Sequence, residues 1–116
     1  LGDFQRRTIR KKEDGKGQHT IEHLQLQTVL YSFKKSIQYE SFEKWLRSLP
    51  DTVYRIKGYI GFTHSSYPFL FQYSYGTPVM LQELIKMPLN IVIIGQNLSK
   101  EEIVGQLESL ERETEM

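Results

Sequence analysis

Hydrophobic and polar residues alternate along several stretches of the chain, and the first of these runs from Ile21 to Phe33. A period of two predicts a β-strand with one buried face. On one side of this strand lie Leu24, Leu26, Thr28 and Leu30, and on the other lie Gln25, Gln27, Val29 and Tyr31.

A second alternating stretch, VYRIKGYIGF, runs from Val53 to Phe62 and is predicted to be the central strand of the sheet. Gly58 and Gly61 within it predict a bulge or a close approach of another backbone. The face expected to pack against the helices holds Tyr54, Ile56, Gly58, Ile60 and Phe62, and the opposite face holds Val53, Arg55, Lys57, Tyr59 and Gly61.

Two segments have the spacing of amphipathic helices. In the first, Phe42, Trp45, Leu46 and Leu49 stand at i, i+3, i+4 and i+7, and Pro50 ends the segment. The second begins at Ser99, with Glu102 at the capping-box position three residues later. Its predicted buried stripe is Ile103, Val104, Leu107 and Leu110.

The remaining strands lie between these helices. The stretch from Tyr67 to Tyr75 is strand-like, and Gly76-Thr77-Pro78 interrupts it before a continuation from Val79 to Leu84. This pattern fits either a hairpin or one kinked strand. The apolar run from Asn90 to Gly95 is typical of a strand with neighbours on both sides.

The order strand-helix-strand-strand-strand-helix predicts an α+β fold, a two-layer sandwich. We expect a mostly antiparallel sheet of four to five strands with two helices on one face. Residues 19–116 form the predicted domain. Residues 1–18 have no sustained periodicity, carry six cations and end in a glycine-marked turn, so we expect a flexible basic linker or arm.

Composition narrows the possible functions. Among 116 residues there is no cysteine, which excludes disulfides and thiolate metal sites within this chain and fits a cytoplasmic location. No apolar run approaches the ~20 residues that cross a bilayer, and the N-terminal residues lack the apolar core of a secretory signal. The basic arm is interpreted as a solvated linker rather than a nucleic-acid contact. The first residue, Leu1, indicates a piece of a longer protein.

Motifs of catalysis are absent from the sequence. There is no GxxxxGK[ST] loop, no GxGxxG between a strand and a helix, and no GxSxG. We therefore expect the chain to bind no nucleotide and to catalyse no reaction by itself.

Two candidate sites remain. His19 and His23, with Glu22 as a further oxygen ligand, are candidate metal ligands. In an extended strand the two histidines lie roughly 13 Å apart, so they share an ion only if a loop brings them together; otherwise they are solvent-facing side chains. On the predicted outer face of the sheet, Arg55, Lys57 and Tyr59 form either a solvated surface or a partner-binding patch.

Arg55-Ile56-Lys57-Gly58-Tyr59, followed by Asn90-Ile91-Val92-Ile93-Ile94-Gly95-Gln96-Asn97-Leu98, resembles the C-terminal domain of the CobW family of GTP-dependent metal chaperones. The segment FEKWLRSLP ahead of the R-x-K-G strand is similar as well, and the likeness extends over most of residues 19–111. At the closing turn, this chain has Gln96, Asn97 and Ser99 where Arg and Asp residues are commoner in the family.

The resemblance implies a non-catalytic accessory domain that follows a P-loop GTPase domain with a C-x-C-C metal motif. The cofactors implied for the parent protein are GTP, Mg and zinc or cobalt. The implied partners are the upstream GTPase domain and a client metalloprotein, with neither nucleic acid nor membrane. His19 and His23 fall where many members have a histidine-rich stretch. The alternative is a stand-alone metal- or small-ligand-binding module that uses these two histidines.

Overall fold

The computed structural model describes residues 25–114 of the chain. The predicted arm and the candidate ligands His19, Glu22 and His23 lie outside the described residues. The described elements are β1 (Gln27–Ser32), α1 (Tyr39–Arg47), β2 (Val53–Ile60), β3 (Phe69–Ser74), β4 (Thr77–Gln82), β5 (Asn90–Gly95) and α2 (Lys100–Thr114).

The strands form one five-stranded sheet in the order β1-β5-β2-β3-β4, and every neighbouring pair is antiparallel. β2 takes the middle position, as predicted for the R-x-K-G strand. β5 lies between β1 and β2, which confirms that the apolar run Asn90–Gly95 has neighbours on both sides. The predicted α+β fold is therefore confirmed.

β3 and β4 form a hairpin, which decides between the two alternatives that the sequence left open. Ser74 pairs with Thr77, and the two residues between them, Tyr75 and Gly76, have φ angles of 47° and 91°. Positive φ at both central positions is the geometry of the tight turn that matches the twist of paired strands. Pro78 is tolerated because β4 is an edge strand.

Both helices pack on the same face of the sheet and close one hydrophobic core. Phe42 of α1 places its ring 5.1 Å from that of Phe71 in β3. Trp45 donates a hydrogen bond from Nε1 to Oε1 of Gln106 in α2, at 2.8 Å. The buried apolar residues of the helices all belong to the predicted stripes, and the other two predicted stripe residues, Leu49 and Val104, are partly buried against the core. The buried ones are Phe42, Trp45, Leu46, Ile103, Leu107 and Leu110.

The start of α2 has the predicted cap. The Ser99 hydroxyl accepts a hydrogen bond from the backbone N–H of Glu102 at 3.2 Å, which satisfies one of the unpaired donors of the first turn. Neither of the helices described here is long and apolar enough to cross a membrane.

The buried face of β1 is the side that carries fewer leucines. Val29 and Tyr31 belong to the core, whereas Leu30 is 61% exposed. Alternation alone does not say which side faces the helices, because each side holds apolar residues.

The predicted facing of β2 is wrong at its first two residues. The pairing of β2 with β5 shifts between Val53 and Arg55. As a result Val53 is buried in the core, and Tyr54, predicted to lie under the helices, is half-buried and outside the core cluster. A bulge adds one residue to the strand, so the simple alternation fails across it. From Arg55 to Ile60 the predicted facing holds.

Candidate docking surface on the outer face of the sheet

The face of the sheet that the helices leave uncovered is formed by rows of paired residues. In the central row, Lys57 lies opposite Val92 on one side and Gln72 on the other. Leu30 and Val79, both exposed, complete this row at the two edges of the sheet. Three of the five residues in this row are apolar, and a cation lies at its centre.

The complete outer face is rich in apolar residues and its charges have one sign. Among the described strand residues that form it, Arg55 and Lys57 are the only charged ones, and none is a carboxylate. Within residues 25–114, neither cation forms an ion pair. By register the outer face consists of Thr28, Leu30, Ser32, Arg55, Lys57, Tyr59, Leu70, Gln72, Ser74, Thr77, Val79, Leu81, Asn90, Val92 and Ile94.

An open groove of ≈ 520 Å³ crosses this outer face. Its lining includes Arg55, Lys57 and Tyr59, the three residues that the sequence offered as a partner-binding patch. Val92 and Ile94 of β5 lie in the same groove. The structure thus places the three candidates together and adds the apolar surface that surrounds them.

His64 does not belong to this groove. Its ring stacks on that of Phe62 at a centroid distance of 5.8 Å, and it lies 6.3 Å from the Tyr39 ring.

An aromatic cluster at one end of the outer face was not predicted from the sequence. The rings of Tyr54 and Tyr75 stack with centroids 5.6 Å apart, and the Arg55 guanidinium carbon lies 5.7 Å from the Tyr75 ring centroid. The Tyr54 hydroxyl donates a hydrogen bond to Gln96 Oε1 at 2.5 Å. The β2 bulge and the hairpin turn produce this arrangement. The sequence marked the turn region through Gly76-Thr77-Pro78, and it gave no signal for a bulge at Tyr54.

Glu111 is a buried carboxylate on the helical side, with 7% of its surface exposed. Its Oε1 accepts a hydrogen bond from the Tyr31 hydroxyl, and its Oε2 accepts one from the backbone N–H of Lys34, both at 2.5 Å. A third, from the Lys35 N–H, measures 3.2 Å. Glu111 therefore ties the last turn of α2 to the end of β1.

The environment of Tyr31 raises the pKa of its hydroxyl above the ordinary value, first through burial and then through the hydrogen bond to Glu111 and the charges of Glu111 and Glu108. The folded state therefore holds this proton more tightly than the unfolded state. The stability contributed by Tyr31 is complete below the unfolded pKa near 10 and falls as the pH rises above it.

We expect the advantage of the wild-type chain over Tyr31→Phe to shrink by about 1 kcal/mol between roughly pH 9 and 11, because only the wild type has this hydroxyl to ionise on unfolding. Urea unfolding of both proteins across this range measures the difference. A constant gap between the two curves would show that Tyr31 titrates alike in the folded and unfolded states.

In the described part of the chain, no three His, Cys, Asp or Glu side chains lie close enough together to hold a metal ion. His19, His23 and Glu22 are outside it. Their role as metal ligands stays a prediction.

Comparison with known families decides the identity of the domain. Residues 26–111 match the model of the cobalamin synthesis protein cobW C-terminal domain. The chain belongs to the CobW C-terminal domain family. The suspected resemblance is thereby confirmed, and the match spans all of the described strands.

Solved structures agree with this assignment at the level of the fold. The Zn(II)-bound YjiA GTPase from E. coli has a TM-score of 0.63 and 16% sequence identity, and the match covers 89% of this chain and 34% of that one. A zinc-bound triple mutant of YjiA has a TM-score of 0.62 and 19% identity over 73% of this chain and 29% of that one. The CobW C-terminal domain thus spans about a third of these two structures. No curated protein sequence gives a significant match.

Proposed function

We propose that this CobW C-terminal domain is a non-catalytic accessory domain that docks, through the outer face of its sheet, on the GTPase domain of the same polypeptide. The observation that carries the proposal is the outer face that the two helices leave uncovered, where apolar side chains of β5 lie beside two cations that form no ion pair within residues 25–114. In this proposal docking serves the delivery of a metal ion, zinc or cobalt, to a client protein in the cytoplasm. GTP and Mg would bind to the GTPase domain.

The composition of the outer face supports docking more than simple solvation. In an antiparallel sheet with one solvated face, outward positions are expected to be polar. Here Leu30, Val79 and Leu81 are exposed instead, and Leu30 and Leu81 are each more than half accessible. Large contiguous apolar surface on a soluble domain marks a site of association.

We favour the GTPase domain as the partner because the match covers only about a third of each YjiA structure. About two thirds of each YjiA chain lies outside the matched region, and both structures are described as GTPases. A partner tethered in the same polypeptide has an effective concentration on the order of millimolar, so a modest interface suffices to keep it docked. A separate client protein lacks this advantage.

The absence of cysteine makes the proposal testable by thiol labelling. A single thiol is introduced by Val79→Cys on the outer face or, as the control, by Lys44→Cys on the exposed side of α1. Its rate of reaction with a maleimide is measured by peptide mass spectrometry, in this chain alone and in the longer protein with its GTPase domain.

We expect the Val79→Cys thiol to react at least about tenfold more slowly in the longer protein, which corresponds to a docking preference of about 1.4 kcal/mol. The Lys44→Cys thiol is expected to react at the same rate in both. Equal rates at the Val79 position would refute interdomain docking through this face. Protection that appears only after a client protein is added would assign the face to the client instead.

A further inference from the structure

We infer that Arg55, held by the stacked pair Tyr54 and Tyr75, is the principal polar contact of the outer face and binds a carboxylate of the docked GTPase domain. The inference rests on the proposed function and goes beyond it, since it names the residue and the chemistry of the partner. A carboxylate is required because both charges of the face are cations and no described acid neutralises either one.

The Tyr54–Tyr75 pair is fixed by contacts on both sides. The Tyr75 backbone N–H donates to the Tyr54 carbonyl at 2.8 Å, so the turn residue is bound to β2. At the other side, the Tyr54 hydroxyl is bound to Gln96, whose own backbone N–H donates to the Thr52 carbonyl at 2.9 Å. Three segments of the chain thus hold the two rings in place.

This support restricts Arg55. Its guanidinium carbon lies 5.7 Å from the Tyr75 ring centroid, within the range of a cation–π contact. Arg55 is exposed, and within residues 25–114 its guanidinium donates no hydrogen bond, so its N–H groups are open to a partner. A guanidinium with limited freedom loses less entropy when a carboxylate binds its paired donors.

Lys57 differs from Arg55 in this respect. It lies in the next outward position of β2, and no aromatic ring within residues 25–114 forms a cation–π contact with it. Its ammonium is a mobile point charge that supplies attraction without a fixed geometry. Exposed aromatic and arginine residues are also the types that most often dominate binding energy, and Tyr75 is 67% exposed.

The test uses the longer protein carrying Val79→Cys as the reporter of undocking. Arg55→Ala, Arg55→Lys and Tyr75→Ala are compared with Arg47→Ala, which removes an exposed arginine from α1 on the other side of the domain. Thermal unfolding of each variant confirms that it is folded. Labelling rates are measured at low and high salt.

We expect Arg55→Ala to raise the labelling rate about tenfold, as for the loss of a charged hydrogen-bonded pair. Arg55→Lys and Tyr75→Ala should also raise it, and high salt should act in the same direction. Arg47→Ala should leave it unchanged.

Separate outcomes identify what fails. If the reporter is protected in the longer protein and Arg55→Ala leaves that protection intact, docking stands and the inference is overturned. If Arg55→Lys docks as tightly as the wild type, any cation suffices and the role of the stacked tyrosines is overturned. If the reporter is equally reactive with and without the GTPase domain, the proposed function fails, and this inference fails with it.

Discussion

We expect Gly58→Ala to destabilise the domain by about 3 kcal/mol or more, because overpacking here cannot be relieved by a side-chain rotation. A Cβ at this position would lie 2.1 Å from the Asn90 carbonyl oxygen and 2.6 Å from the Ile91 Cα. Both are backbone atoms of β5, the strand paired with β2, so space is gained only by separating the two central strands. The φ of +154° at Gly58 adds backbone strain for any other residue.

Gly105→Ala is the matched control for this prediction. Gly105 lies within α2, and an added Cβ meets nothing within 4 Å. Alanine there should stabilise the chain by about 0.5–1 kcal/mol, because glycine is a poor helix former. Urea unfolding of the three proteins gives both differences. A Gly58→Ala protein as stable as the wild type would mean that β2 and β5 do not approach as closely as described.

We expect Glu111→Gln to destabilise the domain by about 1–3 kcal/mol, since it replaces the charge-assisted hydrogen bonds of a buried carboxylate with weaker neutral ones. The carboxylate accepts hydrogen bonds from the Tyr31 hydroxyl and from two backbone N–H groups. Only 7% of the surface of Glu111 is exposed to solvent. An amide has one acceptor oxygen and a donor NH₂ group. With its oxygen towards the Lys34 and Lys35 N–H groups, the amide can still donate a hydrogen bond to the Tyr31 hydroxyl, so the main loss is the negative charge that strengthens these bonds.

Glu108→Gln provides the control, because Glu108 lies on the same helix and is exposed. A surface change of this kind should alter the free energy of unfolding by no more than about 0.5 kcal/mol. The two variants are compared by urea unfolding at neutral pH. Equal stability of Glu111→Gln and Glu108→Gln would show that the contacts to β1 contribute nothing measurable.

These two predictions concern opposite layers of one domain, and neither residue lies on the outer face. The proposed docking surface can therefore be changed without loss of the fold. Leu30, Arg55, Lys57 and Val79 are exposed, and the core is closed on the other side of the sheet by Phe42, Trp45 and Leu107. Variants of the outer face are thus suited to tests of binding, and variants of Gly58 and Glu111 to tests of stability.

Part of the candidate site could be predicted from the sequence. The alternation of Arg55, Lys57 and Tyr59 placed them on the face away from the helices, and the structure places all three in one groove. The neighbours that give the groove its character, Val92 and Ile94, were recognised as strand residues. Their position beside Arg55 and Lys57 depends on the pairing of β5 with β2, which is a contact between distant parts of the chain.

Local signals determined the elements of this CobW C-terminal domain. The 3.6-residue spacing of Phe42, Trp45 and Leu46 predicted α1. The Ser99 cap predicted the start of α2, and the apolar run Asn90–Gly95 predicted a strand with two neighbours. Each signal involves residues within a few positions of one another, so backbone sterics and local hydrogen bonds suffice to produce it. The glycines of β2 likewise predicted a close approach of another backbone, and at Gly58 the backbone of β5 approaches in this way.

Only the tertiary structure decided which of several locally equivalent options is used. Three features depend on partners between 21 and 80 residues away in the sequence. They are the burial of the β1 face with Val29 and Tyr31, the stacking of Tyr54 on Tyr75 at the β2 bulge, and the burial of Glu111. The alternation of a strand has the same period whichever of its sides is buried. A charged residue such as Glu111 has the same helix propensity whether or not hydrogen-bond donors lie near it in the folded structure. The packing of β1, β2 and α2 against one another supplies the free-energy difference that selects one option.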